Sequence, residues 1–333
     1  MYRVATRRAP GLGRAVLAPP RAGRPNEPPS RPSGRDGDWF VLLFWAHMST
    51  KSSAQTLRHT RRPGAPAALA QGFRDTWTHR RLTWYLVRAD LKKHGADTVL
   101  GNVWWVLDPL LQLAVYTVMV SVIFKYNIEA YPLFAFAAIL PWKWFSSSTN
   151  DAITSVVSRE RIIKQVSFPK IVLPVASTVG GIVNFAFGMI PLLGLMVIFY
   201  PAHLNVTLLL IPAVAVVQFV FTLALAVALG SLNVFYRDVG NLFRHVLRIW
   251  FYLSPALYTA DRIAEITTNH AIIGKLFALN PWAILFESYH DVIYYDRTPD
   301  WAQLGSLLLI SIVVLCVAVV FFKRVEPAFA KVL

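Results

Sequence analysis

The side chains best placed to do chemistry in this chain are cations. Arg81, Arg88 and Lys92 recur at spacings of 7 and 4. On a helix they share one stripe, with Leu82, Leu86 and Ala89 beside it. Such a face binds anions, and a helix that carries it lies in a membrane surface with its charges among headgroup phosphates. The plainer alternative is ordinary positive charge flanking a membrane span. A long apolar run follows directly, with Gly101 at the seam and Asp108-Pro109 inside it.

Groups for acid–base or metal chemistry are few. Glu287, His290 and Asp291 are the set that a membrane-embedded glycosyltransferase or acyltransferase would need, but they also read as the wet end of a hairpin. Asp108 is a lone carboxylate within an apolar run, either a proton site or a cap beside Pro109. The P-loop pattern is absent, since Gly274-Lys275 is followed by Leu276. No H-E-x-x-H, G-x-S-x-G or cysteine-based ligand set occurs, and the eight histidines show no ligand spacing inside a span. Catalytic residues, metal ligands and cofactors are therefore expected to be none in this chain. The single cysteine, Cys316, allows no internal disulfide. Aromatic side chains are abundant instead. Trp104, Trp105, Tyr116, Phe134, Trp142 and Phe145 crowd two successive apolar runs. They are either interfacial belt residues or the lining of a pore along which the C–H faces of sugar rings slide.

The elements that must position these groups are membrane helices. With 55% hydrophobic residues and only 15% charged, the chain is an all-α polytopic membrane protein. Apolar stretches predict six transmembrane helices at about 103–124, 131–149, 171–199, 206–230, 246–260 and 301–322. Of the net charge of +15, +12 lies in residues 1–100. The remaining cations fall in alternate connections, which places both termini on the cytoplasmic side of the plasma membrane. No soluble basic domain is present to take a nucleic acid. Residues 1–71 are rich in Arg, Pro, Ala and Gly and are expected to be a disordered tail, with Met48 as a second candidate start. The run 271–295 is apolar in two short pieces around Asn280-Pro281. It predicts a re-entrant hairpin from the outer side between spans five and six, because a seventh crossing would put Lys323, Arg324 and Lys331 outside. Lys143 within the second run either snorkels or lines a polar cavity. Ser177, Gly181 and Gly188 form a small-residue stripe for close helix packing.

Five motifs in joint order carry a resemblance. LVRADLKKHGADTVLGNVWWVLDPLL, LPWKWF, SFPKIVLPVAS, NVFYRDVGNL with YLSPALY, and LNPW together resemble the membrane subunit of type-2 ABC exporters, specifically the polysaccharide and polyol-phosphate permeases of O-antigens, teichoic acids and galactan. The resemblance covers residues 72–333, the transmembrane domain. It implies a homodimer docked on two copies of a separate cytoplasmic P-loop ATPase, which would hold the ATP and magnesium. It also implies a lipid-linked glycan as substrate.

On this resemblance the helix at about 78–95 gates a lateral entrance, with Arg81, Arg88 and Lys92 capturing a diphosphate. Arg159, Glu160, Arg161, Ile162 and Lys164 belong to a coupling helix seated in the ATPase, and Arg237 and Asp238 to a second contact. Asn280, Pro281 and Trp282 belong to an outer gate, and the aromatic set with Asp108 lines the channel. Asp108 stands where the family commonly has Asn before Pro, and Lys143 replaces a usually neutral residue. A drug or simple-lipid permease of the same type is the nearest rival reading.

Overall fold

In the computed structural model, residues 64–95, 100–123, 125, 128–257 and 279–333 are described. Every regular element among them is helical. In chain order these are α1 (Ala65–Thr78), α2 (Arg80–Gly95), α3 (Trp104–Thr117), α4 (Tyr131–Ser155), α5 (Glu160–Gln165), α6 (Val172–Phe199), α7 (Ile211–Phe235), α8 (Asp238–Leu253), α9 (Pro281–Ile293) and α10 (Trp301–Val332). Short 3-10 turns precede α3 and α7, and wider π turns carry α3 on through Ile123.

Local chemistry sets the helix ends. Asp300 caps α10 by accepting from the amides of Ala302 and Gln303, and Asn280 caps α9 by accepting from Trp282. Pro132 and Pro212 stand in the first turns of α4 and α7, where an absent N–H costs nothing. Ala130, at φ 47°, turns the chain sharply into α4.

Four stretches are long and apolar enough to cross a membrane: Val106–Ile123, Val172–Phe199, Val206–Phe235 and Trp301–Val332. They match the first, third, fourth and sixth expected spans. The second expected span lies in α4, whose 25 residues reach about 37 Å but include Lys143 and Asp151. α4 packs against α3, α6, α7, α8 and α9. Because it is enclosed by other helices, it does not need a uniformly apolar surface. The fifth expected span is not among those four, and the helix found there begins earlier than the composition suggested. α8 is one amphipathic helix from Asp238, and its 16 residues cover only about 24 Å. α9 falls on the second half of the expected hairpin and, at 13 residues, is too short to cross by itself. The first arm, 271–278, lies outside the described residues.

The expected tail boundary shifts as well. Residues 65–71 are helical and form the first half of α1, whose Gly72 and Ala68 are buried. Gly72 is required there, since a Cβ would stand 2.4 Å from Val319 of α10. The polar composition of 1–71 concealed this short packed segment. Residues 1–63, including the expected tail and Met48, lie outside the described residues.

Candidate functional site

The cationic stripe is on the surface. α1 and α2 meet at a bend at His79, whose ring Nδ1 lies 2.9 Å from the carbonyl of Asp75. Beyond the bend Arg81, Arg88 and Lys92 are all exposed, while Thr83 and Val87 on the opposite side are buried against the bundle. α2 packs mainly on α6. Aromatic side chains share the cationic face. Trp77 and Trp84 are 74% and 48% exposed, and the guanidinium groups of Arg80 and Arg88 lie 5.5 and 5.4 Å over their rings. Indole and guanidinium interleaved on one face suit the membrane–water boundary, where the ring is half apolar and the cation reaches phosphate. Trp77 and Trp84 join the three cations as members of this face. Their spacing of 7 was the available signal.

The coupling candidates cluster where α4 ends. Arg159 donates from Nη2 to both carboxylate oxygens of Asp90 at 2.6 and 2.7 Å, joining this turn to α2. Glu160 and Lys164 pair along the exposed side of α5 at 2.6 Å, and the ammonium holds the Glu160 carboxyl below the usual carboxylate range. Arg161 and Ile162 stand exposed beside them, as do Arg237 and Asp238 at the start of α8. Asn233 fixes the second group against the first. Its Nδ2 donates to the Ile153 carbonyl at 3.0 Å, and its Oδ1 accepts from the Gly240 amide at 3.1 Å. A cavity of about 460 Å³ lies between them, lined by Thr154, Ser158, Asn233, Arg237 and Arg244 among others.

Asp108 and Lys143, two separate oddities of the sequence, form an ion pair between α3 and α4. Asp108 is not a cap. The 3-10 turn Gly101–Val103 starts the helix earlier and leaves Asp108 in its body. Lys143 takes the cavity option. It lines a space of about 390 Å³ with Trp104, Asp108, Ser147 and Asn184.

The aromatic candidates divide. Trp104 is 43% exposed and borders that cavity. The side chain of Trp105 lies outside the described residues. Phe134, Trp142 and Phe145 are in the protomer's own core, at 1%, 6% and 0% exposure. Trp142 meets Phe145, Phe251 and Trp282 at centroid distances of 5.4, 5.3 and 4.8 Å. Tyr116 is also buried, with its hydroxyl 3.4 Å from that of Tyr252. These four pack the protomer's own helices together instead of lining a channel. They sit on α3 and α4, whose interior faces read by composition like a pore wall.

At the expected outer gate, Asn280 is a hub. Its Oδ1 accepts from Trp250 Nε1 at 2.9 Å and from the Trp282 amide at 3.0 Å, and its Nδ2 donates to Ser254 Oγ at 2.8 Å. Trp282 is fully buried, and Pro281 opens α9. The enzyme candidates lie within one turn of each other on α9, and two of them have structural partners. His290 stacks on Phe134 at 3.9 Å and bonds its carbonyl, Asp291 pairs with Arg297, and Glu287 points to the surface. Among the described residues no His/Cys/Asp/Glu group could hold a metal ion.

Residues 81–294 match the family model described as ABC-2 type transporter. An O-antigen export system permease protein of Myxococcus xanthus is 32% identical over 258 residues, covering 78% of this chain and 97% of that protein. One from Klebsiella pneumoniae is 26% identical over 249 residues, covering 74% of this chain and 93% of its own length.

Proposed function

This chain belongs to the ABC-2 type transporter family, and from that premise we propose that it is the transmembrane subunit of an ATP-driven exporter. Its cargo is a polyprenyl-diphosphate-linked polysaccharide, O-antigen-like or galactan-like, moved across the plasma membrane. One observation carries this reading. The chain corresponds to O-antigen export permeases over nearly their whole length, while no P-loop motif occurs in its sequence.

The working unit is a homodimer with two copies of a cytoplasmic P-loop ATPase. Six crossings, with both termini cytoplasmic, follow if α4 crosses as the enclosed central helix and if α8, with the segment beyond Leu253, makes the fifth. The face of α1 and α2 supports the entry step. Arg81, Arg88 and Lys92 offer three cations to a diphosphate, and charge-assisted hydrogen bonds to phosphate are among the stronger polar contacts. Trp77 and Trp84 hold that face at the depth where the diphosphate lies. The exposed Arg161 and Ile162 on α5, with Arg237 and Asp238 at α8, form the surface for the ATPase. Asn280, Pro281 and Trp282 close the outer end.

The test is purification of the chain from its native membrane under mild conditions. A soluble P-loop ATPase at one copy per permease is the expected companion, and a homo-oligomer with no ATPase would sink the reading. In cells, neutralising Arg88 and Lys92 together should slow glycan export while the dimer still assembles. Unchanged flux would remove both from the entry site.

A further inference from the structure

α5 is short, and both of its flanks are tied to the surface helices. Upstream, Arg159 holds Asp90 of α2. Downstream the tie is indirect and runs through α10. The amide of Lys170, on the segment between α5 and α6, donates to Glu326 Oε1 at 2.5 Å. Glu326 Oε2 accepts from Lys323 Nζ at 2.7 Å, and the same ammonium donates to Asp75 Oδ2 of α1 at 2.6 Å.

The end of α10 is a shared seat for these elements. From Trp301 to Phe322 the helix rises about 33 Å, enough to cross the ~30 Å hydrocarbon layer. Lys323 and Glu326 therefore stand just beyond it. Ile163, the buried residue of α5, shares one apolar cluster with Ile171, Phe322 and Phe329. α1 reaches the same end, where Gly72 packs against Val319 and the Lys323 stem.

Three ionised groups in such a place call for a reason. The Lys323 side chain is 3% exposed, and Phe322 and Phe329 beside it are fully buried. Apolar side chains of similar volume would hold these helices as firmly or more so, because desolvating the charges offsets most of their attraction. What the hydrogen bonds add is direction. An apolar contact slides with little change in energy, whereas a charge-assisted bond weakens steeply as its angle or length changes. A displacement of the segment between α5 and α6 is therefore passed on to α1 instead of being absorbed by sliding.

We propose that Glu326 is a positioning residue of the transport cycle. It passes ATPase-driven movement from the segment after α5, through Lys323, to Asp75, a second route to the surface helices beside the Asp90–Arg159 link. α1 and α2, joined at the His79 bend, are then driven from both flanks of α5 and move together. This rests on the exporter reading above, with the ATPase seated on α5.

The experiment uses the full chain with its ATPase. Surface glycan per folded permease is read in whole cells, and vanadate-sensitive ATP hydrolysis is read on the complex purified from the same cells. Glu326→Gln keeps the size of the side chain but turns one acceptor into a donor, so it cannot serve both the Lys170 amide and the Lys323 ammonium. Export should fall about fivefold or more, the lower end of coupling between distant sites, while hydrolysis stays within about twofold of the parent. A purely structural role would lower the amount of folded complex and leave this ratio alone. Adding Asp90→Asn removes both routes, and export should then fall by more than the product of the two single losses, since independent effects multiply. If Glu326→Gln fails to accumulate, Lys170→Pro decides the matter. It deletes the donated amide, leaves the contacts of Lys323 in place, and should give the same split between export and hydrolysis. Parental export, export and hydrolysis falling in parallel, or a double variant that matches the product would each overturn the second route. Recovery of the ATPase with the parental chain is read first. Its absence sinks the exporter reading and the link with it, whereas its presence with any of those three results sinks the link alone.

Discussion

Asp90 on α2 and Arg159 at the end of the α4 segment hold each other through one guanidinium nitrogen and both carboxylate oxygens. The pair sits 69 residues apart in sequence and joins the cationic surface helix to the turn that leads into α5. Displacement of α5 by a docked ATPase would therefore reach α2 directly, without passing through the bundle. Asp90→Asn keeps the shape and removes the charge, a loss of about 1.5–3 kcal/mol for a charge-assisted contact. Export per permease should fall at least several-fold with membrane abundance unchanged. The exchange Asp90→Arg with Arg159→Asp should recover part of it. If Asp90→Asn cells export at the parental rate, the link carries no coupling.

Neighbouring glycines on α6 should respond in opposite ways. A Cβ on Gly181 would stand 1.8 Å from Ser148 Oγ and 2.6 Å from the Trp144 ring, both buried in α4, whereas Gly180 has open space. The serine can rotate, but the indole is fixed by Phe185 at 4.9 Å. Gly181→Ala should therefore part the helices and cost about 1–3 kcal/mol, the usual penalty for overpacking. Gly180→Ala should be neutral or slightly stabilising, as alanine is the better helix former. Thermal aggregation midpoints of the two variants in detergent would check this. A lower midpoint for Gly180→Ala than for Gly181→Ala would contradict the packing described.

How far the sequence reveals this molecule depends on how local each signal is. The stripe Ser177, Gly181, Gly188 announces a close helix contact because size at a fixed spacing is a local property, and Gly181 and Gly188 do meet Trp144, Ser148 and Leu140 of α4. The four apolar spans are legible for the same reason. The cationic face of α2 is legible too, although its aromatic half needed the actual bend at His79 to show that α1 and α2 share one surface. Pairings are different. Nothing local says that Asp108 and Lys143 cancel each other, or that Asp90 answers Arg159. Nor does composition separate a pore wall from a core. Phe134, Trp142 and Phe145 have the same residue types in either place, and only the positions of α8 and α9 decide it.

Asn280 satisfies three groups at once, and the consequences of changing it can be ordered. Asn280→Asp keeps the acceptor for Trp250 and for the Trp282 amide but loses the donor to Ser254. Asn280→Ala removes all three contacts, leaving the Trp250 indole N–H unpaired and α9 uncapped. The cap alone is worth about 0.5–2 kcal/mol, and an orphaned donor adds about 1–3 kcal/mol. The alanine variant should thus be the less stable of the two by a clear margin. Limited proteolysis at the start of α9 is the simplest readout. Equal cleavage of both variants would show that the hub does not hold α9 in place.

One cation of the chain's C-terminal positive cluster is not a free charge. Lys323 on α10 is 6% exposed, and its Nζ donates to Asp75 of α1 at 2.6 Å and to Glu326 at 2.7 Å. Glu326 in turn accepts from the backbone amide of Lys170 at 2.5 Å, just before α6. The Lys323 ammonium and the Glu326 carboxylate together therefore hold three distant parts of the chain. A buried cation between two carboxylates is costly to desolvate, so the cluster adds little net stability while intact. Breaking it is another matter. Lys323→Met leaves two carboxylates facing each other with no counter-charge, a penalty of about 3–5 kcal/mol. The level of folded protein in the membrane should fall sharply, and α1 should become open to protease near Asp75. Combining Lys323→Met with Asp75→Asn and Glu326→Gln removes the repulsion and should restore most of that level. Restoration would identify electrostatics as the cause. Failure of the triple variant to recover would mean that the lysine stem packed against Gly72 of α1, 3.8 Å from where a Cβ would stand, matters more than its charge.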